Sequence, residues 1–222
     1  FRVPSVDESI SNQTYPYLIF NSNDLLPEQK SMYELGLKIE NIPKEPGNRT
    51  YSLIVSGFSY SYYDKIKQLH LSGTPIKYPI NFGQASIAGI EADLSYQPTR
   101  KWISLKTCLS NYILSDPLAF QLQPEQMLRS IISVKNKWFN MDLIYRSESS
   151  RQITTIEQNG VTKQATLKPI SNIDLNIYRV FKIAFVRSTI SFSGKNLNSS
   201  PQELEGISIY DRRYALNINI SL

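Results

Sequence analysis

The sequence is short of most features that announce a function. No apolar run approaches the roughly 18 residues of a membrane-crossing helix, and mean hydropathy is −0.29. A helical membrane protein is thereby excluded. A membrane barrel is not, because half of each of its strands faces water. The one cysteine, Cys108, has no partner for an internal disulfide and leaves the redox compartment open. The one histidine, His70, has no nucleophile signature near it; a Ser-His-Asp machine would need it as its base, and a solvated loop His is the plainer reading. A single His and a single Cys do not furnish a usual metal-ligand set. A Gly-rich phosphate loop is missing. No segment keeps a capped apolar stripe at helical spacing. Nor is there an initiator Met or a leader; the start at Phe1 reads as a mature or cut piece. Neither a catalytic residue, a metal nor a cofactor is therefore expected.

What is present is strand chemistry. Tyr numbers 14, Ser and Ile are abundant, and β-branched and aromatic residues suit a pleated, half-buried surface. The key stretch is Asn81–Pro98. From Ile90 onward Ile90, Ala92, Leu94 and Tyr96 alternate with Glu91, Asp93 and Ser95. That period of two gives one apolar and one wet face. Pro98, lacking an N–H, ends the pairing. The strand character runs well beyond the about six residues usual in soluble sheets, toward the about 9–11 residues plus overhang of a tilted bilayer crossing.

The same reading predicts nine strands: Tyr33–Ile42, Tyr51–Tyr63, Asn81–Gln97, Trp102–Ile113, Met127–Lys135, Phe139–Arg151, Leu167–Tyr178, Phe185–Leu197 and Ile207–Leu222. The connections alternate short and long. Turns at 41–48, 98–101 and 136–138 are short, while 64–80, 114–126, 152–166 and 198–206 are longer. Outer-membrane barrels have short periplasmic turns and long outer loops; a soluble sandwich has no reason to sort loop length by end. Aromatic residues gather at both ends. Tyr96, Trp102, Trp138, Phe139, Tyr178, Phe181 and Phe185 lie near the short turns. Tyr62, Tyr63, Tyr112, Tyr145, Tyr210 and Tyr214 lie toward the long loops. Two interfacial girdles would place them so. The fold class is therefore all-β: part of an antiparallel transmembrane β-barrel over residues 1–222. Nine strands are an odd number, and an unclosed barrel would leave bare edges in hydrocarbon. The chain is expected to be one portion of a larger barrel.

Several boxes resemble those of TonB-dependent outer-membrane receptors. Asn81, Gly83, Ala85, Gly89 and Glu91 match the family's N-x-G-x-A-x-x-x-G-x-E strand. Phe1–Pro4 resembles its FRAP box, Asn21–Glu28 its NPNLKPE box, Tyr33–Gly36 its YELG, and Gly194–Leu197 its V-x-N-L-F ending. The family's usual final Phe is Leu222 here. The resemblance implies the last nine of about 22 strands, with plug, TonB box and earlier strands absent. It implies active import of a scarce solute: a siderophore, vitamin, metal complex, glycan or peptide. The partners implied are the rest of the barrel and its plug, TonB through the missing part, outer-membrane lipid and lipopolysaccharide, and a surface lipoprotein. No nucleic acid is among them. The family's haem importers carry a His between the first two boxes, and Phe1–Glu28 has none.

Within that frame, substrate contacts are expected at Tyr60, Tyr62, Tyr63, His70, Tyr112, Arg146 and Arg151. Plug-facing lumen positions are expected at Glu34, Lys38, Glu91, Asp93, Asp142 and Asp174, with Glu40 and Lys106 lining the same wall. The plain alternatives are rim or girdle residues and solvated wall charge. Basic residues Lys44, Arg49, Arg100, Lys101, Lys135, Lys137, Arg179 and Lys182 surround the short turns and are expected at inner-leaflet phosphates. The net charge of +5 also fits an ordinary solvated surface. Two other readings stay open: a non-transporting barrel scaffold within an envelope complex, and a soluble all-β glycan-binding module. A barrel-borne hydrolase would rest on His70 alone.

Overall fold

The computed structural model describes residues 25–41, 48–71, 77–99, 102–157, 161–183, 186–204, 207–209 and 211–221. The FRAP-like box, Lys44, Arg100, Lys101, Phe185, Tyr210 and Leu222 lie outside the described residues.

One antiparallel sheet dominates. Its strands are β1 (Gln29–Glu40), β2 (Thr50–Tyr63), β5 (Ala85–Gln97), β6 (Ile103–Leu114), β7 (Gln126–Lys135), β8 (Asn140–Glu148), β11 (Ile170–Ile183), β12 (Val186–Lys195) and β15 (Arg213–Ser221). They lie in that spatial order, each beside its sequence neighbour in the sheet. All nine expected strands are found. Eight successive antiparallel steps leave β1 and β15 running the same way. Laying β15 against β1 would therefore make a parallel pair, and an antiparallel barrel closes only with an odd number of further strands. The barrel is not closed by this chain.

Register keeps the two faces separate across the whole sheet. One row reads Leu37, Val55, Ala92 and Leu109, then Leu128. Another reads Leu105, Ile132, Leu143 and Leu175. At the far edge Ile177, Phe192 and Leu216 form the next row on the same face. These side chains are open to the surroundings: Leu35 is 82% exposed, Ile113 73% and Ile218 64%. An apolar face of this extent, uncovered on a folded sheet, needs a nonaqueous neighbour. Polar groups on it pair with one another, as Thr107 Oγ1 and Ser130 Oγ do at 3.2 Å. Their alternative, an unsatisfied hydroxyl on an apolar face away from water, is costly.

At the short-turn end the backbone is closed by side-chain amides. Asn136 Oδ1 accepts from the Trp138 and Phe139 amides at 2.7 and 2.9 Å. Asn41 Oδ1 accepts from Tyr51 N at 2.5 Å. Both are short polar side chains that mimic a backbone turn.

The long-loop end departs from expectation. Segments read as plain loops form strands β3 (Ile66–Leu71), β4 (Lys77–Asn81), β9 (Arg151–Ile156) and β10 (Thr162–Leu167). These make a second sheet in the order β10-β9-β3-β4. It is joined by a parallel contact, His70 with Thr155 and Leu71 with Ile156. The expected Phe139–Arg151 strand ends at Glu148, and Arg151 begins β9 instead. Likewise Ile207–Ile209 is β14, paired with β13 (Gln202–Leu204), and β15 begins only at Arg213. The conventional core of the molecule lies here: Ile66, Leu69, Ile153, Ile156 and Leu167 are buried. The hydrophobic effect thus organises a cap on the long-loop side, whereas the large sheet buries little of its own.

Candidate functional site

The polar face of the large sheet carries Glu34, Lys38 and Glu40 on β1, Glu91 and Asp93 on β5, Lys106 on β6, Asp142 on β8 and Asp174 on β11. The register places all of them on one side. Some are already engaged. Lys38 Nζ lies 2.8 Å from Glu40 Oε2. Ser133 Oγ donates to Asp142 Oδ1 at 2.5 Å. Asp174 Oδ1 accepts from the Asn196 backbone at 2.8 Å and so anchors the turn after β12.

Toward the long-loop end this face becomes aromatic. Phe58 and Tyr60 stack at 4.6 Å, and Phe58 meets Tyr112 at 5.7 Å. Tyr60 donates its hydroxyl to Glu34, and the Tyr112 hydroxyl donates to Glu91 Oε1 at 2.7 Å. Lys30 Nζ stands 3.7 Å above the Tyr60 ring, and Lys65 Nζ 4.1 Å above Tyr62. Cations over aromatic faces are favourable by about 0.5–2 kcal/mol. Tyr60, Tyr62 and Tyr112 therefore form one cluster with two carboxylates and two ammonium groups. Tyr62 and Tyr112 also correct an expectation: they turn to the polar face rather than into an aromatic girdle. Tyr63 is on the apolar face, opposite Gln29, and does not join the cluster. Tyr145 and Tyr214 do face the apolar side.

The five residues of the N-x-G-x-A-x-x-x-G-x-E match each have a physical task. Asn81 Oδ1 accepts from Leu26 N at 2.8 Å, and Asn81 Nδ2 donates to the Leu26 and Asp64 carbonyls at 3.0 and 2.8 Å. Gly83 has φ of +85°, a conformation that costs other residues strain. Ala85 is buried. At Gly89 a Cβ would come within 2.6 Å of Tyr112 Cδ1 and 2.7 Å of the Asn111 carbonyl oxygen. Glu91 receives the Tyr112 hydroxyl. Of the Asn21–Glu28 box, residues 25–28 are described and meet this one: Leu26 bonds Asn81, and Glu28 Oε2 accepts from Ile66 N at 2.8 Å.

The remaining candidates sit apart. His70 lies on β3 in the cap. Arg146 Nε donates to Glu148 Oε1 at 2.7 Å, and Arg151 approaches Glu148 Oε2 at 3.6 Å. Sequence reasoning overlooked Glu148, which is 5% exposed, and Arg129, which only the strand register sets beside Arg146. Also in the cap, Lys67 is held below the ordinary lysine range by burial, partly offset by Asp116; its Nζ lies 4.1 Å over Phe82. Around the short turns, Arg179 lies 4.8 Å over Phe181 and 5.7 Å over Trp138, while Arg49, Lys135, Lys137 and Lys182 are exposed.

No family model and no curated protein matches the sequence. Solved structures do match the fold. The siderophore receptor PirA from Acinetobacter baumannii superposes with a TM-score of 0.59 at 15% identity, over 88% of this chain and 32% of its own. The pyoverdine outer membrane receptor FpvA from Pseudomonas aeruginosa gives 0.59 at 16%, over 88% and 30%. The FrpB iron transporter from Neisseria meningitidis gives 0.57 at 11%, over 89% and 32%. The fold is that of part of an outer-membrane receptor β-barrel. This chain spans about a third of the length of those receptors. The Tyr60–Glu34 and Tyr112–Glu91 pairs lie on the polar face of this sheet, toward its long-loop end.

Proposed function

We propose that the chain is the carboxyl-terminal part of an outer-membrane receptor that imports a scarce solute. The long-loop cap captures the solute at the outer surface. A plug, contributed by another part of the protein, closes the lumen. The inner-membrane energy complex, acting through TonB, releases that plug. The lumen wall at Glu34, Glu91, Asp93, Asp142 and Asp174 contacts plug or water, and Glu91 is the leading contact because its carboxylate already orders Tyr112. No covalent chemistry is involved. Basic residues at the short turns meet inner-leaflet phosphates.

The observation that carries this reading is the two-faced wall. A largely apolar face runs across nine strands, and the opposite face is charged and aromatic and, among the described residues, capped on the long-loop side. The matched structures are named as siderophore receptors and an iron transporter, so ferric chelates are the first solutes to try. The test is accumulation of radiolabelled ferric chelates by cells that carry or lack the whole protein, each with and without the energy complex. Accumulation that needs both supports the proposal. Accumulation that is indifferent to the energy complex, or a protein that stays in buffer without detergent, contradicts it.

A further inference from the structure

On the polar face, in the half of the wall nearer the long loops, a concavity of about 500 Å³ is lined by Cys108, Ser110, Arg129, Arg146, Glu148 and Asn172, among others. Its size suits a small molecule. Arg129 and Arg146 are direct cross-strand partners. Like charges set opposite each other destabilise a strand pair, so the pair calls for an anion. Two carboxylates line the same concavity: Asp174 is engaged by the Asn196 amide, and Glu148 supplies only part of a counter-charge. Its Oε1 accepts from Arg146 at 2.7 Å and its Oε2 lies 3.6 Å from Arg151. One buried carboxylate thus serves two guanidiniums, and the Arg129 guanidinium has no hydrogen bond or ion pair among the described residues. In the same row, Asn172 is the cross-strand partner of Arg146, and its Oδ1 is buried with no donor among the described residues.

These are complementary demands. A guanidinium fork matches a carboxylate. A buried amide oxygen wants an O–H or N–H donor, and leaving it without one is costly. A carboxylate carrying a neighbouring hydroxyl meets both. We propose that Arg129, Arg146 and Asn172 form a lumenal binding station for a solute of the hydroxycarboxylate class. The proposal rests on the polar face being a lumen, and it gives the imported solute a chemistry.

Cys108 provides the readout. It is the only cysteine, it is exposed, and it is the cross-strand partner of Arg129. The whole protein in detergent is first checked for heat-dependent gel migration, the mark of a formed barrel. Cys108 is then modified with an uncharged methanethiosulfonate reagent in the presence of citrate, tricarballylate (the same carboxylates without the hydroxyl) or inorganic phosphate at equal ionic strength. Citrate slows modification saturably. Tricarballylate needs about fivefold more for the same protection, the worth of one hydrogen bond. Phosphate gives little. Arg129→Gln abolishes citrate protection, whereas Lys106→Gln, a charge change elsewhere on the same face, retains it. Citrate without effect on a heat-modifiable protein overturns the proposal. So does a Cys108 closed to every reagent until Arg129→Glu opens it, since a polypeptide segment would then hold the site. Absence of heat-dependent migration would instead count against the barrel reading itself.

Discussion

Tyr112 hands its hydroxyl hydrogen to Glu91 at 2.7 Å across a wall position that only Gly89 leaves open. The ring lies where a Cβ on Gly89 would stand, 2.6 Å from Tyr112 Cδ1 and 2.7 Å from the Asn111 carbonyl oxygen. The second contact is backbone, so no rotamer relieves it. Gly89→Ala should cost about 1–3 kcal/mol, the range of an overpacked site. Tyr112→Phe should cost about 1.5–3 kcal/mol if the bond to Glu91 is charge-assisted. Urea titration of the refolded protein in lipid checks both. Gly89→Ala combined with Tyr112→Ala should recover only part of the loss, because the clash with Asn111 remains.

The turn after β12 depends on Asn196, which is 2% exposed and has φ of +52°. Its side chain donates to the Ser200 carbonyl at 3.0 Å and accepts from Ser200 N at 3.0 Å. Asn196→Gly keeps the backbone freedom and loses these bonds. Asn196→Ala loses both, and the left-handed conformation adds about 1–2 kcal/mol. Alanine should therefore lower the unfolding midpoint more than glycine. Equal effects would show that the backbone angle contributes nothing.

Burial holds Lys67 below its ordinary value of 10.5. The sign follows from proton binding: the folded cap holds this proton less tightly than the unfolded chain does. Its charged form therefore destabilises the cap below the folded value. That penalty fades as pH rises through the folded value toward 10.5, the unfolded reference. Resistance of the cap to subtilisin should accordingly increase over that window. Lys67→Met should be more resistant at neutral pH and lose this contribution to the pH dependence. An unchanged profile in the variant would contradict the assignment.

The nine-stranded wall was legible because alternation is local. Ile90, Ala92 and Leu94 against Glu91 and Asp93 need no knowledge of their neighbours. The Gly89 and Glu91 box was legible only as a pattern; its reason, the Tyr112 ring, arrives from the adjacent strand. The cap was hidden. Its decisive contact joins His70 to Thr155, 85 positions away in sequence, and periodicity carries no such pairing. Tyr62 and Tyr112 were misread for a related cause. An aromatic residue near a strand end suits a lipid girdle or a lumen mouth equally, and only strict register decides. The Arg129–Arg146 opposition was invisible for the same reason.

The account turns on lipid meeting one face of this wall and water the other. The direct measurement is a pair of arginine substitutions at adjacent β15 positions, Ile218→Arg and Asn217→Arg, in the whole protein unfolded from bilayers by denaturant. Ile218 lies on the apolar face, paired with Ile190, and Asn217 on the polar face, paired with Ser191. The prediction is a loss of about 2–4 kcal/mol at Ile218 if it lies near the bilayer midplane, and little change at Asn217. Equal losses at both positions, or a larger one at Asn217, would contradict the two-faced wall and the receptor reading built on it.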